Sequence, residues 1–247
     1  MDDLKNLAVI LVSPRNPLNI GAVARAMTNF GCSDLRLVKV HPPSLEDARS
    51  AVGSSADVIA NAREFASVAE AIADCSHVAG TVAPFHRPPS ENCVPLPDAA
   101  PGIRGHLWHG RVALLFGSEK TGLSNDALSH CHQILGIPTS STFASMNLGQ
   151  AAAVSLYEIS KQFISQGSAP AATPSSESRA AGEHLDRITA VLADSLAAAN
   201  YTGIEAESTR QELRSLVRRL ALDTPDALTL TGMLRKILWK LQHPHGR

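Results

Sequence analysis

A strand, a turn and a helix within residues 7–30 restrict the fold more than any other part of this sequence. Residues 8–12 form a continuous apolar run, which is typical of a strand buried on both faces of a parallel sheet. The turn that follows holds two prolines and two asparagines, and we expect Asn19 to cap the next helix. Apolar residues from Ile20 to Phe30 recur at helical spacing, and Arg25 points away from their stripe. A guanidinium therefore lies beyond the carboxyl end of a buried strand, where open α/β sheets bind ligands. An ordinary first helix with a surface arginine explains this segment equally.

Apolar runs of strand length alternate with helical patterns in the first part of the chain. They are residues 8–12, 35–40, 77–81, 112–116 and 133–137. This alternation predicts an α/β domain with a mainly parallel sheet over residues 1–164. Residues 165–182 are almost all Ala, Gly, Pro, Ser or Thr, and we expect a flexible linker because such a stretch buries little apolar surface. Residues 183–247 contain only helical patterns, which predict a small all-helical C-terminal domain.

The composition disfavours several classes of protein. No apolar run reaches the roughly 18 residues that a membrane-spanning helix needs, and the first residues lack the basic and apolar regions of a signal peptide. The 4 cysteines are widely spaced and indicate neither a zinc site nor a disulfide framework. We therefore expect a cytoplasmic protein with reduced thiols, no bound metal and no membrane partner. The net charge is -1, so a nucleic-acid partner requires local basic patches.

A glycine-rich turn follows the apolar run at residues 112–116. Gly117 and Gly122 have the spacing of the glycines in a phosphate-binding loop, but Leu123 and Ser124 stand where that loop needs Lys and Ser/Thr. This difference disfavours an NTPase. The chain also lacks a G-x-G-x-x-G segment after a strand, which argues against a Rossmann dinucleotide site. A tight connection in which Ser124 caps the next helix explains the same residues.

A third segment with unusual residues begins where a strand ends at Ile137 and Pro138. A loop rich in hydroxyl groups follows, and a helix that is apolar almost all round begins near Asn147. A helix without a polar face must be covered on both sides, and a second subunit would cover the side that the sheet does not. Ser145 and Asn147 either donate hydrogen bonds to a ligand or simply cap this helix.

Taken together, these segments resemble the three motifs of the SpoU/TrmH-like branch of the SPOUT methyltransferases. The matching residues are Asn16, Asn19, Gly21 and Arg25 in the first motif, Gly117, Glu119, Gly122, Leu123 and Ser124 in the second, and Ile137, Pro138, Ser145, Asn147 and Ala151 in the third. The resemblance covers about residues 6–162. It implies transfer of a methyl group from S-adenosylmethionine to a ribose 2′-hydroxyl of RNA. It also implies a homodimer and a deep trefoil knot at the end of the α/β domain.

The resemblance assigns roles to particular residues. It implies that Arg25, Ser145, Asn147 and Asn16 are catalytic. It implies a cofactor pocket built from three loops, with these residues: Thr81, Val82, Ala83, Gly117, Glu119, Gly122, Ile137, Ala144, Ser145 and Met146. Because a guanidinium stays protonated in proteins, we expect Arg25 to clamp the target phosphate and to lower the pKa of the ribose hydroxyl, rather than to act as a base.

The C-terminal helices make the resemblance more specific. A linker followed by a helical extension looks like the TrmJ type, the tRNA cytidine/uridine methyltransferases that act on nucleotide 32 of the anticodon loop. Arg210, Arg214 and Arg218 recur at every fourth residue beside an apolar stripe, so we expect them and Arg25 to bind tRNA phosphates. A solvated amphipathic face explains the three arginines of the extension equally. Trp239 either stacks on a base or packs on protein.

Two departures from the family pattern and several alternatives remain at this point. Gly149 stands where many relatives have Ser or Ala, and residues 82–87 replace the Ser-Ala-Arg run that often follows the strand ending at Thr81. The alternatives are a 2′-O-methyltransferase for a wobble nucleotide or a ribosomal RNA, and a knotted RNA-binding protein without catalysis. A flavodoxin-like domain with a helical tail would instead bind a flavin or a phosphate.

Overall fold

The computed structural model describes residues 4–40, 55–83, 93–140, 145–165 and 179–243. Its strands are β1 (Leu7–Val12), β2 (Asp34–Val38), β3 (Arg63–Phe65), β4 (His77–Val82), β5 (Cys93–Pro95), β6 (Val112–Phe116) and β7 (Gln133–Gly136). They form one sheet in the order β3-β2-β1-β6-β4-β7-β5, and every pairing among the described strands is parallel. The predicted parallel α/β sheet is thus confirmed, and the short strands β3 and β5 extend it at its two edges.

Helices cover both faces of this sheet and continue beyond it. They are α1 (Pro17–Asn29), α2 (Ala56–Ala60), α3 (Val68–Ala71), α4 (Leu96–His109), α5 (Asn125–Ser129), α6 (Leu148–Ser165), α7 (Gly182–Ala198), α8 (Glu207–Arg219) and α9 (Thr224–Gln242). Among the described helices, none is both long and apolar enough to cross a membrane. All four cysteines are free thiols.

The central strands are buried on both faces, as their continuous apolar sequences predict. In β1, Val9 and Leu11 belong to the core beneath α1, α4 and α6, whereas Ile10 belongs to the core on the opposite face with α3 and α5. Since successive side chains of a strand point to opposite faces, one apolar strand supplies both cores. The sheet is therefore a fixed platform for the loops at its carboxyl edge.

Helix α6 is buried on only one side. Ala152, Leu156 and Ile159 are fully buried on the side that packs towards α1 and α4. On the other side, Val154 is 40% exposed and Tyr157 is 54% exposed. The predicted division of this helix into two apolar sides is confirmed, and the second side faces outward in a single chain.

The C-terminal helices pack around a small apolar core of their own, which includes Leu185, Ile188 and Val217. The structure departs from the predicted linker at the C-terminal end of that segment. Residues 166–178 lie outside the described part, but Ala180 is buried and its N–H donates to the carbonyl of Leu222. Ala180 is ordered because it packs into the small core, although the composition of residues 165–182 is typical of a linker.

The amino edge of the sheet carries a buried network of charges. Arg36, on β2, is 1% exposed, and it donates to Asp34 at 2.7 Å, to Asp74 at 3.0 Å and to the carbonyl of Ala71 at 2.6 Å. Arg111 adds an ion pair with Asp34 at 2.6 Å. Burial raises the pKa of Asp34, but the hydrogen bonds from Arg36 and Arg63 outweigh it and leave the pKa below its usual value. This network closes the edge opposite the loops described next.

Candidate active site

The loops after β1 and β6 meet because their strands are neighbours. The two strands run parallel, with Leu11 opposite Phe116. From β1 the chain proceeds outward through β2 to β3, whereas β6 belongs to the other half of the sheet. The order in which the chain adds strands to the sheet thus reverses between β1 and β6, and open α/β sheets bind ligands at such a reversal. The first two motifs are therefore brought together at the ligand-binding edge.

Glu119 joins the two loops through three hydrogen bonds. Its Oε2 accepts the backbone N–H of Arg15 at 3.1 Å, and its Oε1 accepts the N–H of Asn16 at 3.1 Å. The Oε1 atom also accepts the Nδ2 amide of Asn19 at 2.9 Å. Burial raises the pKa of Glu119, but these donors outweigh it and leave the pKa below its usual value. Glu119 is thus held as a carboxylate, and it fixes the first motif onto the second.

The expectation that Asn19 caps α1 is wrong. Asn16 is the N-cap, and its Oδ1 accepts the N–H of Leu18 at 3.0 Å. The helix begins at Pro17 because proline needs no hydrogen bond at the first helical position and already has a helical φ. Asn19 therefore lies inside the first turn, and its side chain is available for other contacts.

Asn19 uses its second amide atom to bind the third motif. Its Oδ1 accepts the Nδ2 amide of Asn147 at 2.9 Å, so a continuous chain of hydrogen bonds runs from Glu119 through Asn19 to Asn147. The Oδ1 atom of Asn147 accepts the N–H of Gly149 at 2.9 Å at the start of α6. The helix thus begins where the sequence predicts, and the three motifs form one hydrogen-bonded assembly.

The structure gives a physical reason for Gly149. A Cβ atom at this position would lie 2.5 Å from the Cβ of Ala22, where α6 crosses α1. Such a distance requires the two helices to move apart. The glycine thus permits the close crossing that brings Asn147 to Asn19.

A cavity of about 350 Å³ opens beside this assembly. Its walls are the loops after β4, β6 and β7 together with the start of α6. Every predicted cofactor-binding residue that is described lines it: Thr81, Val82, Ala83, Gly117, Glu119, Gly122, Ile137, Ser145 and Met146. Ala144 lies outside the described residues. The volume is within the usual range for small-molecule sites, at the lower end.

Two glycines shape the second loop of the cavity. A Cβ at Gly117 would overlap the backbone of Gly122 and Leu123, so only glycine permits this close approach. Gly122 has a φ of +66°, in the left-handed region that favours glycine. Ser124 caps α5 by accepting the N–H of Ala127, as predicted. The glycines thus form a tight connection, and that connection is also a wall of the cavity.

Sequence reasoning missed several residues of the cavity wall. They are Phe116, Leu123, Thr139, Leu148 and Ala151, whereas Ser118, Lys120 and Thr121 lie within the predicted loop of residues 117–122. Some of them are motif residues or direct neighbours of motif residues, which is the only signal that they carried. Within the described part of the chain, no group of His, Cys, Asp and Glu residues is arranged to hold a metal ion.

The predicted catalytic residues divide into two groups. Ser145 lies in the cavity wall, while Asn16 and Asn147 belong to the hydrogen-bonded assembly at its rim. Arg25 is exposed on α1 and is absent from the described cavity wall. It lies about 9 Å farther along the helix axis than Asn19. The structure therefore presents Arg25 on the outer face of α1, beside the site rather than inside it.

The three arginines of the extension do not form one exposed row. Arg218 is 1% exposed and pairs with Asp186 at 2.6 Å, inside the extension. Arg214 donates to Asp126 and to Ser129 of the α/β domain. Only Arg210 is exposed, where it pairs with Glu205. Helix α8 packs on both sides, so the spacing of the arginines places two of them at protein contacts, and the predicted phosphate contact of Arg218 is excluded by its burial.

Comparison with known proteins identifies the family. The SpoU rRNA methylase family matches residues 6–157, which is more than half of the chain. The chain belongs to this family. Its SpoU domain contains all three motifs and the cavity between them, and the resemblance predicted from the motifs is confirmed.

Individual relatives match nearly the whole chain, including the extension beyond the SpoU domain. A tRNA (cytidine/uridine-2′-O-)-methyltransferase TrmJ from Yersinia enterocolitica is 33% identical, over 98% of this chain and 95% of that protein. The crystal structure of TrmJ from Z. mobilis ZM4 is 33% identical with a TM-score of 0.77, over 93% of this chain and 98% of that one. A putative methylase family protein from Neisseria gonorrhoeae has a TM-score of 0.65 at 27% identity, over 77% and 95% of the two chains.

Proposed function

We propose that this protein transfers a methyl group from S-adenosylmethionine to a ribose 2′-hydroxyl of tRNA, at the cytidine or uridine of nucleotide 32. The observation that carries the proposal is the assembly of Glu119, Asn19 and Asn147, which joins all three motifs at the rim of one cavity. The activity named for the TrmJ relatives, which match the extension as well as the SpoU domain, supports tRNA as the substrate.

The cavity fits S-adenosylmethionine in size and in chemistry. Its volume of about 350 Å³ suits a single small ligand, and Gly117 leaves space that a side chain would fill. Backbone groups at residues 81–83, 117–122 and 137 would hold the adenine and methionine parts, together with the side chain of Ser145 and Met146. When bound, the cofactor supplies a methyl group that is activated by its sulfonium charge.

The chain's own groups must prepare a weak nucleophile for this transfer. As the ribose oxygen bonds to the methyl carbon, the bond between that carbon and the cofactor's sulfur would break, and its electron pair would stay on the sulfur. The hydroxyl proton has to leave as well, and Arg25 would stabilise the negative charge that develops on the ribose oxygen. Arg25 clamps the adjacent phosphate as a fixed cation, and the proton passes to a phosphate oxygen or to water. Ser145 positions the ribose. Asn16 and Asn147 act through the rim, because their side chains are already bonded within it.

We further propose that the protein is a homodimer that pairs through α1 and α6. Leu18, Val154 and Tyr157 are exposed apolar side chains on these helices, and Phe30 packs edge-on against Tyr157. Substitution of Tyr157 by Arg should convert a dimer into a 26.1 kDa monomer in light scattering. Tyr201, equally exposed but on the extension, provides the matched control, and its substitution by Arg should leave the dimer intact. A wild-type mass of 26.1 kDa at micromolar concentration would contradict the dimer.

We also propose the trefoil knot that the family resemblance implies. Strand β4 lies between β6 and β7 in the sheet, and the loops after all three strands line the same cavity. This interleaving brings the three loops together at one site and supports the proposal. The substrate surface is proposed to include the exposed cations of the extension at Arg210, Arg219, Arg235 and Lys236.

Methylation of defined transcripts tests the proposed reaction. Unmodified tRNA with C or U at nucleotide 32 is incubated with methyl-labelled cofactor, and the product is mapped for 2′-O-methyl groups. We expect one methyl group per tRNA, abolished by a 2′-deoxy nucleotide at position 32 and retained with a 2′-deoxy nucleotide at the wobble position. Methylation that survives the first substitution would overturn the assigned position. A protein that methylates none of these transcripts would overturn the activity.

A further inference from the structure

Among the described residues, hydrogen bonds join the extension to the α/β domain at the start of α7 and at Arg214 on α8, and those at the start of α7 involve only the backbone. At the start of α7, the N–H of Gly182 donates to the carbonyl of Cys75 at 2.9 Å, and the N–H of Glu183 donates to Ala73 at 3.1 Å. A Cβ at Gly182 would lie 2.5 Å from the carbonyl oxygen of Ile72. This contact fixes where the extension begins.

The second contact is made by the side chain of Arg214 on α8. Its Nη1 donates to the Oδ1 of Asp126 at 2.9 Å and to the Oγ of Ser129 at 2.7 Å, both on α5. Ser129 is buried, and its own hydroxyl donates to the carbonyl of Asp126 at 2.7 Å, so its lone pairs are available to Arg214. The side chain of Arg214 is only 20% exposed. The guanidinium is thus committed to the neighbouring domain rather than to solvent.

Helix α5 is in turn fixed to the cofactor cavity. Leu123 lies in the cavity wall and is 2% exposed, and the next residue, Ser124, is the N-cap of α5. Ala127 and Leu128 pack into the core on that face of the sheet. Helix α5 therefore follows the loop at residues 117–122 directly and is held against the same core.

Helix α8 is fixed equally firmly to the rest of the extension. The guanidinium of Arg218, one turn after Arg214, donates to Asp186 of α7 at 2.6 Å and is buried. Leu213 and Val217 pack on the same side of the helix. Arg214 is therefore a link between two rigid parts: the extension on one side and the cavity wall on the other.

We propose that Arg214 is a positioning residue, whose pair with Asp126 and Ser129 sets the orientation of the extension so that bound RNA presents its target ribose to the cavity. This inference rests on the proposed function. It replaces the expected role of Arg214 as a phosphate ligand, and the two roles give opposite predictions for Asp126. If Arg214 binds a phosphate, removing the carboxylate of Asp126 would free the arginine and tighten RNA binding. If Arg214 links the two domains, the same change would release the extension and weaken RNA binding.

The test uses the full chain with Arg214→Gln, Asp126→Asn and the double variant. We expect each single variant to raise the KM for tRNA roughly tenfold, and the double variant to do no more, because both substitutions remove one interaction. The affinity for S-adenosylmethionine should stay unchanged, and the salt dependence of RNA binding should keep its slope because no phosphate contact is lost. A reciprocal exchange, Asp126→Arg with Arg214→Asp, should recover part of the lost affinity.

Arg219→Gln is the matched control, since it removes one exposed arginine from the same helix. If the exposed cations bind phosphates, Arg219→Gln should make RNA binding less dependent on salt concentration, whereas Arg214→Gln should leave that dependence unchanged. Tighter RNA binding by Asp126→Asn, or a reduced salt slope in Arg214→Gln, would overturn the positioning role.

Hydrogen exchange in the absence of RNA separates this inference from the proposed function. Both single variants should accelerate amide exchange in residues 125–129 and 207–219 compared with the wild-type chain, whether or not tRNA is the substrate. Unchanged exchange in both variants would overturn the link. A wild-type chain that fails to methylate tRNA would overturn the proposed function, and the hydrogen-exchange result would still test the link made by Arg214.

Discussion

The two edges of the same sheet hold their polar groups in different ways. At the carboxyl edge, Glu119 and Asn19 bind neutral amides beside an open cavity. At the amino edge, the guanidinium of Arg36 is 1% exposed and binds two carboxylates, and the start of the extension packs next to it. Polar groups that face a cavity can exchange protein partners for a ligand, whereas the buried guanidinium of Arg36 has only protein partners. The comparison predicts that substitutions at the first edge impair the reaction and that those at the second impair stability.

The largest effect is expected for Arg25→Ala on the outer face of α1. If Arg25 stabilises charge in the transition state, kcat should fall by roughly 10²–10³, while the affinity for the cofactor changes only a few fold. Arg25→Lys should recover little, because an ammonium does not reproduce a planar clamp. Single-turnover methylation with saturating cofactor measures both. Wild-type rates in Arg25→Ala would show that this arginine is only a solvated surface residue.

The opposite edge should respond in stability rather than in rate. Arg36→Met removes the buried partner of Asp34 and Asp74, while Arg111 still pairs with both carboxylates, and should cost about 1.5–3 kcal/mol of unfolding free energy, the value of a charged hydrogen bond. The kcat/KM of the folded fraction should not change. Arg63 is 51% exposed and also pairs with Asp34, so Arg63→Met is the control and should cost less than about 1 kcal/mol. Urea unfolding compares the two variants, and equal costs would contradict the role assigned to burial.

Glu119→Gln tests the rim itself. The amide keeps the shape of the side chain but loses the charge and one of the two acceptor oxygens, so the bonds to Arg15, Asn16 and Asn19 cannot all persist. We expect kcat/KM to fall about tenfold, which is about 1.4 kcal/mol and close to the value of one charged hydrogen bond, with a smaller change in stability. Isothermal titration with the cofactor and a thermal scan separate the two effects. A variant that loses stability but not activity would show that the rim stabilises the fold and has no part in the reaction.

The last prediction concerns pH and three neighbouring histidines at the amino edge, of which His77 and His106 are stacked. His77 is buried, its ring lies 4.0 Å from that of His106 and 5.2 Å from that of His132, and neither ring nitrogen has a hydrogen-bond partner among the described residues. Burial lowers the pKa of all three, to about 4 for His106 and about 3 for His132, and the positive charge of Arg179 adds to the effect.

These folded-state pKa values lie below those of the unfolded chain, so the unfolded chain binds more protons as the pH falls below about 6.5. Stability should therefore be fully present above pH 6.5 and decrease towards pH 4. Each neutral histidine contributes at most about 1.4 kcal/mol per pH unit. His77→Phe keeps the ring stacking and should reduce this slope by one histidine's share. Unfolding measured from pH 7 to pH 5 checks it, and an unchanged slope would show that His77 is not among the titrating groups.

The sequence predicted the central sheet and the ligand-binding edge, because continuous apolar strands and the motifs after them are local signals. It did not predict β3 or β5, since each is a three-residue edge strand without an apolar pattern. The burial of Arg36 depends on Asp74, 38 residues away. Arg218 was predicted at the surface because its spacing is helical, and only its partner Asp186 on another helix explains its burial. The cytoplasmic location, the individual site roles and the knot stay predictions.

The bonds at the rim join residues that are far apart in the chain. Asn19 is separated from Glu119 by 100 residues and from Asn147 by 128. During synthesis at 5–20 residues per second, roughly ten seconds pass between the appearance of Asn19 and that of Asn147. Until then the first motif lacks at least one of its two partners, so an incomplete chain has no closed rim and no complete cavity. A ligand that contacts all three loops then stabilises only the finished fold, and the cofactor favours correctly folded chains simply by binding.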